Sequence, residues 1–248
     1  MTAMPRKVAL FVPCFVDQVV PQAAVDALTV LRRIGCEVIF PADQTCCGQP
    51  AFNSGHWSEA RPCAERFVRV FGDSECVVAP SGSCVSMVRT HYPDLLPVGP
   101  LRDDAIALGQ RTYELTEFLV RIAGVNDVGA SFPHSVTYHA SCHATRELGI
   151  YREPLELLAH VRGLELRPLP AEGDCCGFGG VFSVKFGAVS AAMGDTKLAN
   201  VDSTGAEYVT SIDPSCLMHL EGVIGATKRK VRPIYLGSIL AQQQEAAQ

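Results

Sequence analysis

The chain has 248 residues, 48% of them hydrophobic and 19% charged, which is the balance of a compact globular protein with length enough for a buried core. Its formal net charge of −5 argues against nucleic acid or an anionic membrane surface as the main partner. No apolar run reaches the roughly 18 residues needed to cross a bilayer, and Val8–Val12 is too short for a secretory core, so a cytoplasmic protein is expected.

In chain order, Val8–Val12 reads as a strand ending at Pro13-Cys14. Pro21–Ile34 has helical periodicity, with Val25, Leu28 and Leu31 on one face, and Gly35 as its stop. Glu37–Phe40 is a second strand leading to Cys46-Cys47-Gly48. His56–Phe71 is a helix, and Cys76–Ala79 a third strand leading to Cys84. Pro100–Ser131 then reads as an insert carrying one helix, Tyr113–Ile122, with Leu115, Phe118, Leu119 and Ile122 on one face. A second series follows: strand Ser135–His139 before Cys142, helix Pro154–Val161, strand Glu165–Leu169 before Cys175-Cys176-Gly177, helix Ser190–Val201, and strand Glu207–Ile212 before Cys216. An amphipathic piece, Ile234–Leu240, leads into a polar tail expected to fray.

The cysteines repeat with the elements. Cys14 precedes its Cys-Cys-Gly by 31 intervening residues and Cys142 precedes its own by 32; Cys84 and Cys216 follow theirs after 36 and 39. Four landmarks in the same order at matched gaps make an internal duplication. The reading is α/β, with two tandem pseudo-symmetric β-α-β repeats, parallel sheets and Cys-rich loops at strand C-terminal ends. The units are 1–99, a connecting helical insert 100–134, and 135–248.

Eleven cysteines in a chain of this length do not suggest a secreted disulfide framework. Parallel strands bring their carboxyl ends side by side, so thiolates distant in sequence converge where open α/β sheets build sites. The candidate ligands are Cys14, Cys46, Cys47 and Cys84 in one half, and Cys142, Cys175, Cys176 and Cys216 in the other. Adjacent residues of a strand point to opposite faces, so each pair needs a turn, which the following glycine permits. Helices starting after Cys84 and Cys216 would aim amides at the site, with Arg146 and Lys185 as nearby cations. All-thiolate ligation suits an iron–sulfur cluster or zinc. Zinc sites favour close Cys-x2-Cys pairs, which neither half has, so iron–sulfur clusters, up to two, are the first reading and zinc in one site the other. His139, His143 and His219 flank the second site, and Asn53 and His56 follow the first pair. Cys36, Cys63 and Cys76 lack counterparts and read as small buried hydrophobes. The glycines of Cys175–Gly180 miss the spacing of a dinucleotide loop.

Two copies of Cys-x(31–32)-Cys-Cys-Gly with a distal cysteine resemble the CCG, or cysteine-rich, domain family, whose members include the heterodisulfide reductase B subunit and the glycolate oxidase iron-sulfur subunit. The phrases Cys46–Gly55 and Asp213–Leu220 are most similar to its lactate-utilisation branch. That resemblance implies a non-catalytic or co-catalytic redox subunit of an L-lactate oxidation system, passing electrons between partners: a ferredoxin-like iron-sulfur subunit and a third small subunit. A glycolate oxidase-type or heterodisulfide reductase-like subunit, or a zinc-binding scaffold, is the alternative. In heterodisulfide reductase each motif ends Cys-x-x-Cys; here Ser81 and Asp213 replace the first of those cysteines, leaving four per half, so the resemblance implies a conventional 4Fe-4S cluster, or a site with one atypical ligand, rather than the reductase's five-cysteine one.

Overall fold

The computed structural model describes residues 7–243. The first half forms a parallel sheet from β1 (Lys7–Leu10), β2 (Glu37–Ile39), β3 (Val77–Ala79) and β4 (Thr112–Glu114), in the order β2-β1-β3-β4. The second half repeats it with β5 (Ser135–Tyr138), β6 (Glu165–Leu166), β7 (Tyr208–Ser211) and β8 (Arg232–Tyr235), in the order β6-β5-β7-β8. Equivalent residues hold equivalent registers: Ala9 pairs with Val77 in one sheet and Thr137 with Val209 in the other. The central strands β1 and β3 are apolar and, Lys7 apart, buried, as parallel strands covered on both faces are; β5 and β7 are nearly as buried but carry Ser135, Thr137, Thr210 and Ser211.

The expected α/β duplication is present, with corrections at its edges. Each sheet has a fourth strand. The residues expected to form helix Tyr113–Ile122 begin instead as β4, and helical turns occupy Leu115–Glu117 and Phe118–Ile122. Glu114 sets the boundary. Its carboxylate accepts the N–H groups of Thr116 (2.7 Å) and Glu117 (3.4 Å), capping the turn that starts at Leu115. In the second half Ile234 and Tyr235 belong to β8, and the helix runs Leu236–Ala241. Strand β6 stops at Leu166 rather than Leu169, because Pro168 and Pro170 have no N–H for a ladder. In helix Gln22–Arg33 the buried face is Ala23, Ala27, Val30 and Leu31, and Val25 is exposed. The polar tail beyond Gln243 lies outside the described residues. No helix among the described residues is long and apolar enough to cross a membrane.

The halves exchange their last helices. Leu236–Ala241 packs on Gln22–Arg33 of the first half, while Leu115–Ile122 packs on Arg152–Ala159 of the second. Both exchanges carry polar bonds. Arg33 donates to the carbonyls of Leu240 (2.7 Å) and Val128 (3.3 Å), and Ser238 bonds Asp26. Arg121 pairs with Glu153 (2.7 Å) and Glu117 (3.0 Å) and donates to Gly149 O (2.6 Å). One hydrophobic core runs through both halves, from Phe11 and Leu31 to Val136, Ile150 and Leu236.

Candidate metal centre

Each candidate ligand sits just beyond the carboxyl end of a strand. Cys14 opens helix Cys14–Val19 after β1, and Cys142 opens Cys142–Arg146 after β5. Cys84 and Cys216 are each the third residue of their helices, Gly82–Ser86 and Pro214–Thr227. That corrects the expectation of helices starting after them: both cysteines lie in a first helical turn. Helix Gly82–Ser86 packs on Cys142–Arg146, and Cys14–Val19 packs on Pro214–Thr227, so ligand-bearing helices from opposite halves meet in two equivalent pairs.

The two Cys-Cys-Gly turns are built alike. Gly48 (φ +87°) and Gly177 (φ +93°) adopt left-handed backbone, and each N–H donates to the sulfur of the cysteine two before it, Cys46 or Cys175, at 3.3 Å. The glycines are needed for space as well. A Cβ on Gly48 would lie 3.1 Å from Ala60 O, and one on Gly177 only 2.5 Å from Ser190 O.

Within each half the sulfurs form a chain. Cys14 Sγ lies 3.1 Å from Cys46 Sγ, and Cys47 interacts with both Cys46 and Cys84. The second half repeats this order, from Cys142 to Cys175, Cys176 and Cys216. Hydrogen bonds from neighbouring thiols and from the glycine amides hold Cys46 and Cys175 well below an ordinary thiol, so one sulfur in each set is the most easily deprotonated. The thiol–thiol bonds, with burial, push Cys14, Cys47, Cys142 and Cys176 upward. Cys47, Cys84, Cys176 and Cys216 are buried, while Cys14, Cys46, Cys142 and Cys175 are half-exposed.

All eight cysteines line one cavity of about 140 Å³, which Phe15 and Phe178 wall with apolar surface from opposite halves. The sequence suggests two separate sites; the fold turns both into a single pocket. Ser81 and Asp213 cap the ligand-bearing helices. Ser81 Oγ accepts from Cys84 N (3.5 Å), and Asp213 accepts from Ser215 N (3.3 Å) and, across the halves, from Ser83 N (2.9 Å).

The other candidates separate. His139 is fully buried, and its nitrogens lie within ligand reach of Cys176 and Cys216, all within 4.8 Å of one another. Neither nitrogen has a hydrogen-bond partner, and burial holds the imidazole down at about 4. His143 Nδ1 is 3.8 Å from Cys142 Sγ, whereas His219 turns to Ser190 O (3.3 Å). Asn53 lines the cavity; His56 is exposed at a helix start and does not. Arg146 donates to Gly173 O (3.1 Å) in the loop before Cys175, and Lys185 is exposed. Cys36 and Cys76 are buried, but Cys63 is half-exposed on helix Trp57–Phe71. Sequence reasoning missed Lys197, a buried cation whose Nζ donates to Ala171 O (2.7 Å) and Glu172 O (3.1 Å). Its signal was present: Lys197 shares the buried face of its helix with Ser190, Gly194, Leu198 and Val201.

The donor set is soft and reduced. All eleven cysteines are free thiols, and eight of them are gathered with an unpartnered imidazole. Such a set fits an iron–sulfur cluster or another thiophilic metal. The model of the cysteine-rich CCG domain matches residues 8–89 and again 136–221, one copy on each half of the duplication. The chain belongs to the CCG family. It is 45% identical over 235 residues to Lactate utilization protein A of Geobacillus thermodenitrificans, covering 94% of this chain and 98% of that one. It is 46% identical, at the same coverage, to Lactate utilization protein A of Bacillus subtilis. Among solved structures, a hypothetical protein from Helicobacter pylori superposes on 98% of this chain with a TM-score of 0.66 at 11% identity, a likeness of fold alone. This chain spans 50% of that protein's length.

Proposed function

We propose that this CCG protein is a cytoplasmic iron–sulfur redox subunit of an L-lactate oxidation system, passing electrons between partner subunits. The observation that carries this reading is the pair of matched four-thiol sets opening into one cavity. The names of the 45–46% identical relatives supply the lactate context. Residues 1–99 and 135–248 would each provide one ligand set, joined by 100–134.

Cys14, Cys46, Cys47 and Cys84 would hold one cluster, and Cys142, Cys175, Cys176 and Cys216 the other. A bound cluster supplies one-electron transfer. The chain's own residues prepare for it. Cys46 and Cys175, held below an ordinary thiol by their hydrogen bonds, are the sulfurs from which a metal displaces a proton most easily. The amides of Gly48 and Gly177 already donate to those two sulfurs, which lessens the charge each site must carry. Phe15 and Phe178 limit water at the pocket. With four cysteines per half, a conventional four-iron site fits better than the five-cysteine, non-cubane arrangement of the reductase relatives. A ferredoxin-like iron-sulfur subunit and a third small subunit are the partners this role calls for.

Anaerobic purification followed by iron, acid-labile sulfide and zinc analysis tests the metal. Growth of a deletion strain on L-lactate, glycolate and a neutral carbon source tests the pathway. Iron and sulfide in the protein, with growth lost on L-lactate alone, is the expected pair of results. Stoichiometric zinc with no iron after anaerobic reconstitution would instead make the chain a scaffold, and growth lost on glycolate would move it to the glycolate branch.

A further inference from the structure

The two ligand sets match, but the residues behind them do not. His139 lies three residues before Cys142, the place Phe11 holds before Cys14. Gly48 packs on Ala60 and Cys63, and Gly177 packs equivalently on Ser190 and Met193, which puts Lys197 in the place of Phe67. In the first half Phe11 and Phe67 are buried against each other, ring centroids 5.0 Å apart and nearly perpendicular. In the second half the same two positions hold an imidazole and an ammonium, both buried as deeply. An apolar pair behind one site has become one uncharged polar ring and one cation behind the other.

We infer that the two centres are unequal. His139 and Lys197 raise the reduction potential of the centre held by Cys142, Cys175, Cys176 and Cys216 above that of the centre held by Cys14, Cys46, Cys47 and Cys84. The inference rests on the iron–sulfur reading. Reduction adds negative charge to a thiolate-bound centre, and a nearby buried cation stabilises that charge far more than one in water. Lys197 is held in place by two carbonyls, and its charge is felt at Cys175 and Cys176. The imidazole of His139 lies within ligand reach of Cys176 and Cys216, and no protein group occupies its nitrogens, so its N–H is free to point at sulfur. Phe11 and Phe67 offer the first centre neither a charge nor a donor. Two anions oppose this at the same centre: Asp213, whose charge is felt at Cys142 and Cys216, and Asp174, which faces Lys197. Asp213 is partly satisfied by the N–H groups of Ser83 and Ser215, and the Lys197 variants read what the ammonium contributes with both anions in place.

The test is a potentiometric titration of the anaerobically reconstituted full chain, followed by electron paramagnetic resonance. Cys46→Ser and Cys175→Ser, each removing one centre, assign the signals. Two separate transitions are expected in the parent protein, the upper one lost in Cys175→Ser and the lower one lost in Cys46→Ser. Lys197→Met and His139→Phe should each lower the upper transition and leave the lower one in place, and Lys197→Arg, which keeps the charge, should restore it. Coincident transitions, the reverse order, or a Lys197→Met protein with an unmoved upper transition would overturn the inference while leaving the iron–sulfur reading intact. Should the histidine variant fail to fold, the order of potentials and the lysine pair decide alone. A chain that takes up no iron would sink the iron–sulfur reading, and this inference with it.

Discussion

At the scale of single residues, the Cys-Cys-Gly turns show how much a short motif can specify. Two sulfurs on adjacent residues reach one centre only if the backbone reverses, and glycine is the residue that does so without strain. That much was legible from three letters. The unequal tightness of the two turns was not, because it depends on the helix each glycine touches. Left-handed backbone alone costs an alanine about 1–2 kcal/mol. Gly177→Ala adds a Cβ 2.5 Å from Ser190 O and 2.9 Å from Met193 Cβ, whereas Gly48→Ala meets its neighbours at 3.1 Å. Both variants should lose stability, and Gly177→Ala more. Thermal melting and metal content after reconstitution check this, and equal losses would show that the helices give way. His139 and Lys197 belong to this scale too: each is an ordinary polar residue in sequence, and only burial makes it notable.

At the scale of elements, the strands before each cysteine were readable because apolar runs ended at landmarks that recurred. The fourth strands were not. Thr112–Glu114 and Arg232–Tyr235 are short edge strands running directly into helices, and the helical periodicity of Leu115, Phe118, Leu119 and Ile122 hid the boundary. The parallel phrases Tyr113-Glu-Leu-Thr-Glu-Phe-Leu and Tyr235-Leu-Gly-Ser-Ile-Leu held a signal, since both fall after the last cysteine of their half. The helices that follow do the work of joining the halves. Arg121 binds Glu117 and Glu153 from its own half and the other, and Glu117 also keeps Arg89 (2.7 Å). Arg121→Ala therefore strands Glu153 more than Glu117. A loss of roughly 1–2 kcal/mol is expected, since Glu153 is largely buried but Arg121 itself is exposed. Arg66→Ala, which breaks an exposed pair with Asp43, should cost under about 1 kcal/mol. Urea midpoints compare the two, and equal shifts would mean that the Arg121 contacts do not hold the halves together.

At the scale of the whole molecule, the reciprocal exchange of helices forces the two sets of strand ends to face each other. Glu114 sits at this junction. It is fully buried, and its carboxyl is pushed up to about 8 by burial, against the hydrogen bonds from Thr116 and Glu117. Tyr138 and Tyr235 of the second half, both raised mainly by burial, feel its charge. The sign follows from linkage. Between the ordinary 4.5 and about 8 the folded chain keeps a proton that the unfolded chain has released. Stability from this group is complete below the lower value and is lost as pH rises toward the upper. Glu114 should accordingly take a few kcal/mol from the metal-free protein between about pH 5 and about pH 8, against an opposite contribution from His139 below about pH 6.5, and Glu114→Gln should remove the downward part of that slope. Chemical denaturation across the range checks it; an unchanged slope would place the titration elsewhere.

The sequence by itself determined the duplication, the parallel α/β class and the two sets of four cysteines, since matched spacing and apolar periodicity are written along the chain. It did not show that Ser81 and Asp213 cap helices, or that Asp213 reaches into the other half. Only the tertiary structure decided that the eight thiols share one cavity, that His139 and Lys197 stand where the first half has two phenylalanines, and that Cys63 stays half-exposed. Those facts depend on which helices cross between the halves and which faces they bury. Contacts of that kind join residues far apart in the chain, and no local pattern records them.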